Sequence, residues 1–159
     1  MTRTLNLICD AAMALVYPAA CAACGAALVE ARADFPACAR CWSETRVFTE
    51  RDALCGKCGA PAPTDVGGEW AETLRCGRCD AEDFTAARAC GVYGGALRAA
   101  VLSLKREPHV GRRLARLLAD ACARPPLDRA TRVLPVPLHP AREGERGFNQ
   151  ASILARAVS

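Results

Sequence analysis

Four Cys-x-x-Cys pairs, Cys21/Cys24, Cys38/Cys41, Cys55/Cys58 and Cys76/Cys79, constrain this chain more than any other feature. Each pair clamps one metal ion with two thiolates, and two pairs complete a tetrahedral four-cysteine site. Thirteen residues separate Cys24 from Cys38 and seventeen separate Cys58 from Cys76, gaps that suit short hairpins. Gly25 and Gly59 directly follow the second cysteine of their pairs, where a tight turn favours a residue without Cβ. The simplest arrangement is sequential: Cys21, Cys24, Cys38 and Cys41 on one zinc, and Cys55, Cys58, Cys76 and Cys79 on the other. Thirteen residues also separate Cys41 from Cys55, so a swapped pairing fits the spacing as well. Ligand sets made only of cysteine predict two closed, structural zinc sites rather than catalytic ones. Segment 18–82 has few large apolar residues and depends on metal to fold.

The chain has 11 cysteines, and Cys9, Cys90 and Cys122 stand alone in apolar stretches. An odd total with this spacing and no export signal favours metal thiolates in a reducing, cytoplasmic setting over disulfides. The N-terminal "TRTLNLICDAAMALVYPAACAA" has a basic start, but Asn6 and Asp10 interrupt its apolar run. Leu5, Ile8, Ala12, Leu15 and Val16 instead form one stripe, predicting an amphipathic helix over 1–17. No segment is long and apolar enough to span a membrane.

Charge divides the chain. Residues 1–83 carry 8 Lys and Arg against 12 Asp and Glu, and residues 84–159 carry 13 against 5. Two zinc ions on eight thiolates take the first part from −4 to about −8, which disfavours a DNA grip there. A polyanion partner belongs on the second part.

In that second part "FTAARACGVY", residues 84–93, reads as a strand. "ALRAAVLSLK" follows as a helix with Leu97, Val101 and Leu104 on one face. Pro108 breaks it. "RRLARLLADACA" is a second helix that turns Leu114, Leu117, Leu118 and Ala121 inward, and Pro125 and Pro126 end it. Residues 131–136 read as a buried strand, and "NQASILARAV" as a third helix capped by Asn149. Strand, helices, strand, helix is α/β grammar. Two strands do not bury both faces of a parallel sheet, so residues 84–159 read as the first part of a domain. The expected organisation is a helix at 1–17, a double zinc ribbon at 18–83 and an incomplete α/β domain at 84–159.

The order of these features resembles the ComF family of phosphoribosyltransferase-like proteins. The matching pieces are "LVYPAAC", the four cysteine pairs, "YGGALRAAVLSLK" and "LPVPLHPAREGERGFNQA", which together cover nearly the whole chain. The resemblance implies a double zinc ribbon followed by the first part of a type I phosphoribosyltransferase-like domain. It also implies a bacterial role in DNA uptake or processing during natural competence. Implied partners are single-stranded DNA or phosphoribosyl pyrophosphate, with competence DNA-uptake proteins. In such transferases the matching strand-loop-helix contributes to the pyrophosphate site. Here that assigns ligand binding to Pro137, Leu138, His139, Arg142, Arg146, Gly147 and Asn149, with Lys105 from the "LK" motif. A loop that meets a helix N-terminus offers free N–H groups to an anion, and arginine supplies forked donors. Gly144 and Gly147 would allow close backbone approach, and Pro135, Pro137 and Pro140 would pre-set the loop.

Two departures matter. Family members commonly have an aromatic residue and a glycine soon after the lysine, where this chain has Arg106, Glu107 and Pro108. Type I transferases also carry a strand ending in paired acidic residues before a Thr/Gly-rich loop that cradles the 5′-phosphate. After Asp128 the only acids here are Glu143 and Glu145. No catalytic residue is assigned, and residues 1–159 are expected to be inactive alone. Magnesium enters only with a complete catalytic domain. The competing expectation is a zinc-ribbon adaptor that binds nucleic acid or protein without catalysis.

Overall fold

The structure, a computed structural model, describes residues 19–29, 34–62, 74–79 and 81–159. The helix expected at 1–17 lies outside them, as does Cys9. Two near-identical knuckle turns open the described chain. Around the first, Ala20 bridges Leu28 antiparallel, Cys21 N–H donates to Ala27 at 2.7 Å, and Gly25 N–H returns to the Cys21 carbonyl at 2.7 Å. Around the second, Leu54 bridges Pro61, Cys55 N–H donates to Ala60 at 2.7 Å, and Gly59 N–H returns to Cys55 at 2.8 Å. Gly25 and Gly59 have φ of 70° and 68°, the left-handed conformation expected for them. The hairpin therefore surrounds the first cysteine pair of each site. Between the pairs, residues 30–33 of the first gap and 63–73 of the second lie outside the described residues.

The described residues hold five α-helices: α1 (Ala39–Ser43), between the two turns, and then α2 (Gly95–Ser103), α3 (Arg112–Cys122), α4 (Pro140–Arg146) and α5 (Gln150–Val158). Helices α2, α3 and α5 lie where apolar periodicity placed them. On α2 the buried arc runs from Leu97 through Leu104 and Ala100 to Ala96, so Val101 falls at its rim and is 39% exposed rather than inward. On α3, Leu114 and Ala121 are buried, while Leu117 and Leu118 are half-buried against the core. Helix α1 packs on α2, and α5 packs on α3 through Leu154.

Neither expected strand forms, so the α/β expectation for residues 84–159 gives way to helices joined by extended segments. Residues 84–93 meet the ribbon at one isolated bridge, Val47 to Gly91, flanked by Phe48 N–H to Cys90 at 3.0 Å and Val92 N–H to Arg46 at 2.9 Å. Residues 131–138 make no backbone–backbone hydrogen bond among the described residues. Val133, Leu134 and Val136, expected to be buried, are 50%, 84% and 76% exposed. β-Branched and proline-spaced residues favour extended backbone, but a strand exists only beside a partner, and none of the described residues pairs with this segment. The proline-rich turn, expected as a loop, also contains a helix, α4.

One apolar cluster unites the two parts of the chain. Cys21, Ala37, Cys38 and Trp42 from the ribbon pack with Ala96, Leu97, Ala100, Leu104 and Leu114 from α2 and α3. Apart from Trp42 it is aliphatic and small, matching a composition with only 5% aromatic residues.

Candidate metal centres and anion-binding loop

The eight paired cysteines gather into two groups, Cys21/Cys24/Cys38/Cys41 (site 1) and Cys55/Cys58/Cys76/Cys79 (site 2), with all sulfurs of a group within 4.8 Å of one another. This is the sequential arrangement. At site 2 the Sγ atoms of Cys55 and Cys79 are 3.7 Å apart and those of Cys58 and Cys76 are 3.6 Å apart. A tetrahedral zinc with Zn–S bonds of about 2.3 Å separates its sulfurs by roughly 3.8 Å; two of these spacings match, Cys76 and Cys79 at 3.1 Å are closer, and the four-thiolate donor set fits zinc. Two structural zinc sites follow.

The surroundings favour thiolate ligands. Cys38 N–H points at Cys21 Sγ at 3.2 Å, and Cys76 N–H points at Cys55 Sγ at 3.4 Å. Burial pushes the Cys21 thiol up, but the N–H groups of Cys24, Cys38 and Ala23 outweigh it and bring it down to about 6. Burial opposes the same shift at Cys55, where the N–H groups of Cys58, Cys76 and Lys57 prevail and also bring it to about 6. Cys41 is pushed far up by burial and by its neighbouring thiols, and Cys79 by the Cys58 and Cys76 thiols. Four thiolates this close repel, and without a cation they do not all ionise. Each cage therefore needs a divalent metal to carry its full charge.

Around site 2, Lys57 Nζ donates to the carbonyls of Cys79, at 2.8 Å, and Glu82, and lies 5.4 Å from the centre of the Phe84 ring. Around site 1, Trp42 Nε1 donates to the Asp34 carbonyl at 2.6 Å.

The expected anion-binding residues fall into two places. Asn149 is the organiser of the first. Its Oδ1 accepts from Ala151 N–H at 2.8 Å, capping α5, while its Nδ2 donates to the Val136 carbonyl at 3.0 Å. Residues 137–148 thus form an arc with pinned ends. Within it His139 Nδ1 accepts from Ala141 N–H at 3.3 Å, which makes this histidine the N-cap of α4. Pro140 begins α4, and Gly147, with φ 74°, ends it. Pro137 is exposed and Leu138 half-buried. Arg142 and Arg146 stand one turn apart, exposed and half-buried, and neither makes an ion pair among the described residues. Gly144 lies inside α4 facing open space, so no close approach needs it. Lys105 is in the second place, exposed just beyond α2, and no described hydrogen bond or ion pair joins it to the arc.

Several contributors were not singled out in the sequence. The Gln150 Nε2 donor is enclosed without a hydrogen-bond partner among the described residues. Arg124 donates to Phe48 O at 2.5 Å and Ala89 O at 3.4 Å, and Arg88 Nε donates to Pro125 O at 2.8 Å. These two arginines hold residues 88–90 against the end of α3, beside a cleft of about 640 Å3 lined by Val47, Phe48, Arg51, Cys90, Leu117 and Arg124. Burial pushes the Cys90 thiol up. Long-range contacts of this kind carry no local signature, since each depends on which segments the metals bring together.

Cysteine spacing, knuckle turns and paired cages define a double zinc ribbon in the first part of the chain. Residues 12–80 match the family model of the double zinc ribbon domain. No curated protein and no solved structure matches the chain. Among the described residues no helix is long and apolar enough to cross a membrane.

Proposed function

We propose that the chain is a ComF-type protein in which a zinc-built ribbon supports a basic, phosphoribosyltransferase-like half that binds a phosphorylated ligand. Phosphoribosyl pyrophosphate and a DNA backbone share that chemistry, and the setting is DNA uptake or processing in the bacterial cytoplasm. The observation that carries the reading is the arc pinned by Asn149, because it carries Arg142 and Arg146, neither with an acidic partner among the described residues, and leads into the start of α5. An enclosed donor at Gln150 with no partner among the described residues adds to it, since such a group is costly unless something accepts from it. Glu143 and Glu145 offset the two arginines in formal charge, so attraction here is local and the affinity modest. A second reading, a ribbon adaptor without catalysis, draws on the exposed row of Val133, Leu134 and Val136, which suits a protein partner.

The test is binding of inorganic pyrophosphate and of a single-stranded oligonucleotide to zinc-loaded protein across a salt series. Arg142→Ala with Arg146→Ala should weaken both and lower the salt slope for DNA by about one to two. Unchanged affinity and slope would remove the arc as the anion site and leave the adaptor reading.

A further inference from the structure

The two metal cages have the same ligands and the same knuckle turn, yet they are built into different parts of the molecule. Site 1 lies in the common core. Cys21 and Cys38 are 1% and 2% exposed and belong to the same cluster as Leu97, Leu104 and Leu114. Cys38 opens α1 and Cys41 lies within it, so the cage fixes the helix that delivers Trp42 to that cluster. Three polar contacts reinforce the junction. Thr45 Oγ1 accepts from Ala96 N–H at 3.0 Å, at the start of α2, where no residue of α2 itself provides a side-chain cap. Arg113 on α3 pairs with Asp34 at 3.2 Å and lies 5.6 Å from the centre of the Trp42 ring. Site 2 contributes no cysteine to the cluster. Its contacts run instead to the connecting segment, through Ala87 N–H to Lys57 O at 2.7 Å and the Lys57 bond to Glu82.

We propose that the metal of site 1 alone gates the helical half, so that occupancy of this one cage decides whether α2, α3 and α5 are ordered. The reason lies in length and cooperativity. Helices of nine and eleven residues do not persist in water by themselves and depend on packing of their apolar faces. Trp42 is the largest side chain of that cluster, and it stands on α1, only five residues long, between the ligand Cys41 and the helix end, with the ligand Cys38 at the helix start. Helix α5 reaches the same cluster through Leu154, and Asn149 pins the arginine arc to its start. Loss of the site 1 metal therefore propagates from α1 through the core to the arc. Loss of the site 2 metal frees the second knuckle and the segment after it but leaves the cluster whole. This inference rests on the proposed function for its consequence, which is ligand binding responsive to zinc, but its structural content stands apart from any ligand.

The test compares two double variants of the full chain that spare the most buried ligands: Cys24→Ser with Cys41→Ser at site 1, and Cys58→Ser with Cys76→Ser at site 2. Amide hydrogen exchange is followed in peptides from 95–122 after reconstitution with zinc. Exchange in α2 and α3 should accelerate about tenfold or more in the site 1 variant and stay within about twofold of wild type in the site 2 variant. Equal acceleration in both, or none in the site 1 variant, would overturn the proposal. Should the site 1 variant not fold at all, metal-free site 2 variant is titrated with zinc alone. One equivalent restoring full protection to 95–122 supports the gate, and failure to restore it overturns it. Protection that follows site 1 in a protein that binds no pyrophosphate or DNA would count against the proposed function only.

Discussion

Gly91 and Gly144 are the same residue under opposite constraints. A Cβ on Gly91 would meet the Arg46 carbonyl and lie 2.7 Å from Leu97 Cδ1 and 3.1 Å from Val47 Cα, because the bridge to Val47 and the start of α2 close on it from two sides. Backbone on one side cannot yield, so Gly91→Ala should destabilise the zinc-loaded protein by about 2 kcal/mol or more. A Cβ on Gly144 meets nothing within 4 Å, and the residue sits mid-helix. Gly144→Ala should therefore stabilise α4 by about 0.5–1 kcal/mol. Denaturant midpoints of the two variants would check both signs in one experiment. A single glycine in sequence gives no hint of which case applies, since the crowding at Gly91 comes from residues 45 and 44 positions before it and 6 after it.

At the scale of elements, α5 rests on one side chain with two jobs. Asn149→Ala removes both the cap and the tie to Val136 and should cost about 1–2 kcal/mol. Asn149→Asp keeps the acceptor for Ala151 N–H but sets a carboxylate against the Val136 carbonyl, so it should loosen the arc while preserving the helix. Exchange rates of the α5 amides, compared with those of residues 137–148, separate these outcomes. The helices α2, α3 and α5 were legible because their apolar spacing and terminators are local. So were the cages, whose ligands announce themselves by spacing. Helix α4 was legible too: Pro140 at its start, Glu143 in its first turn, Arg146 in its last and Gly147 after it are the usual boundary signals. Its prolines and glycines drew attention toward a loop instead. Residues 84–93 and 131–136 were not legible, because strand propensity becomes a strand only when another segment supplies the ladder. Val101 was misplaced by one step around the helix, a distinction set by where Trp42 and Cys21 sit and not by the period itself.

For the whole molecule, metal and proton compete for the same sulfurs. Cys21 and Cys55, held down at about 6, are ionised at neutral pH, whereas Cys41 and Cys79 are held protonated in the metal-free cage. Zinc uptake at pH 7 must therefore expel protons, and calorimetry in buffers of different ionisation enthalpy should register their release. The sign on acidification is fixed as well. The folded values for Cys21 and Cys55 lie below the ordinary 9.0, so their stabilising contribution is present above that value and is lost as pH falls through about 6. Zinc retention should fall across the same interval, and a colorimetric chelator would follow it. The core shared by Trp42, Leu97 and Leu114 has a consequence for inheritance. A ribbon borrowed by recombination from an unrelated gene would arrive with the wrong shape opposite α2 and the wrong partner for Arg113. Ribbon and helices must then travel through evolution as one cassette, with substitutions at Asp34, Trp42 and Arg113 appearing together in descendants.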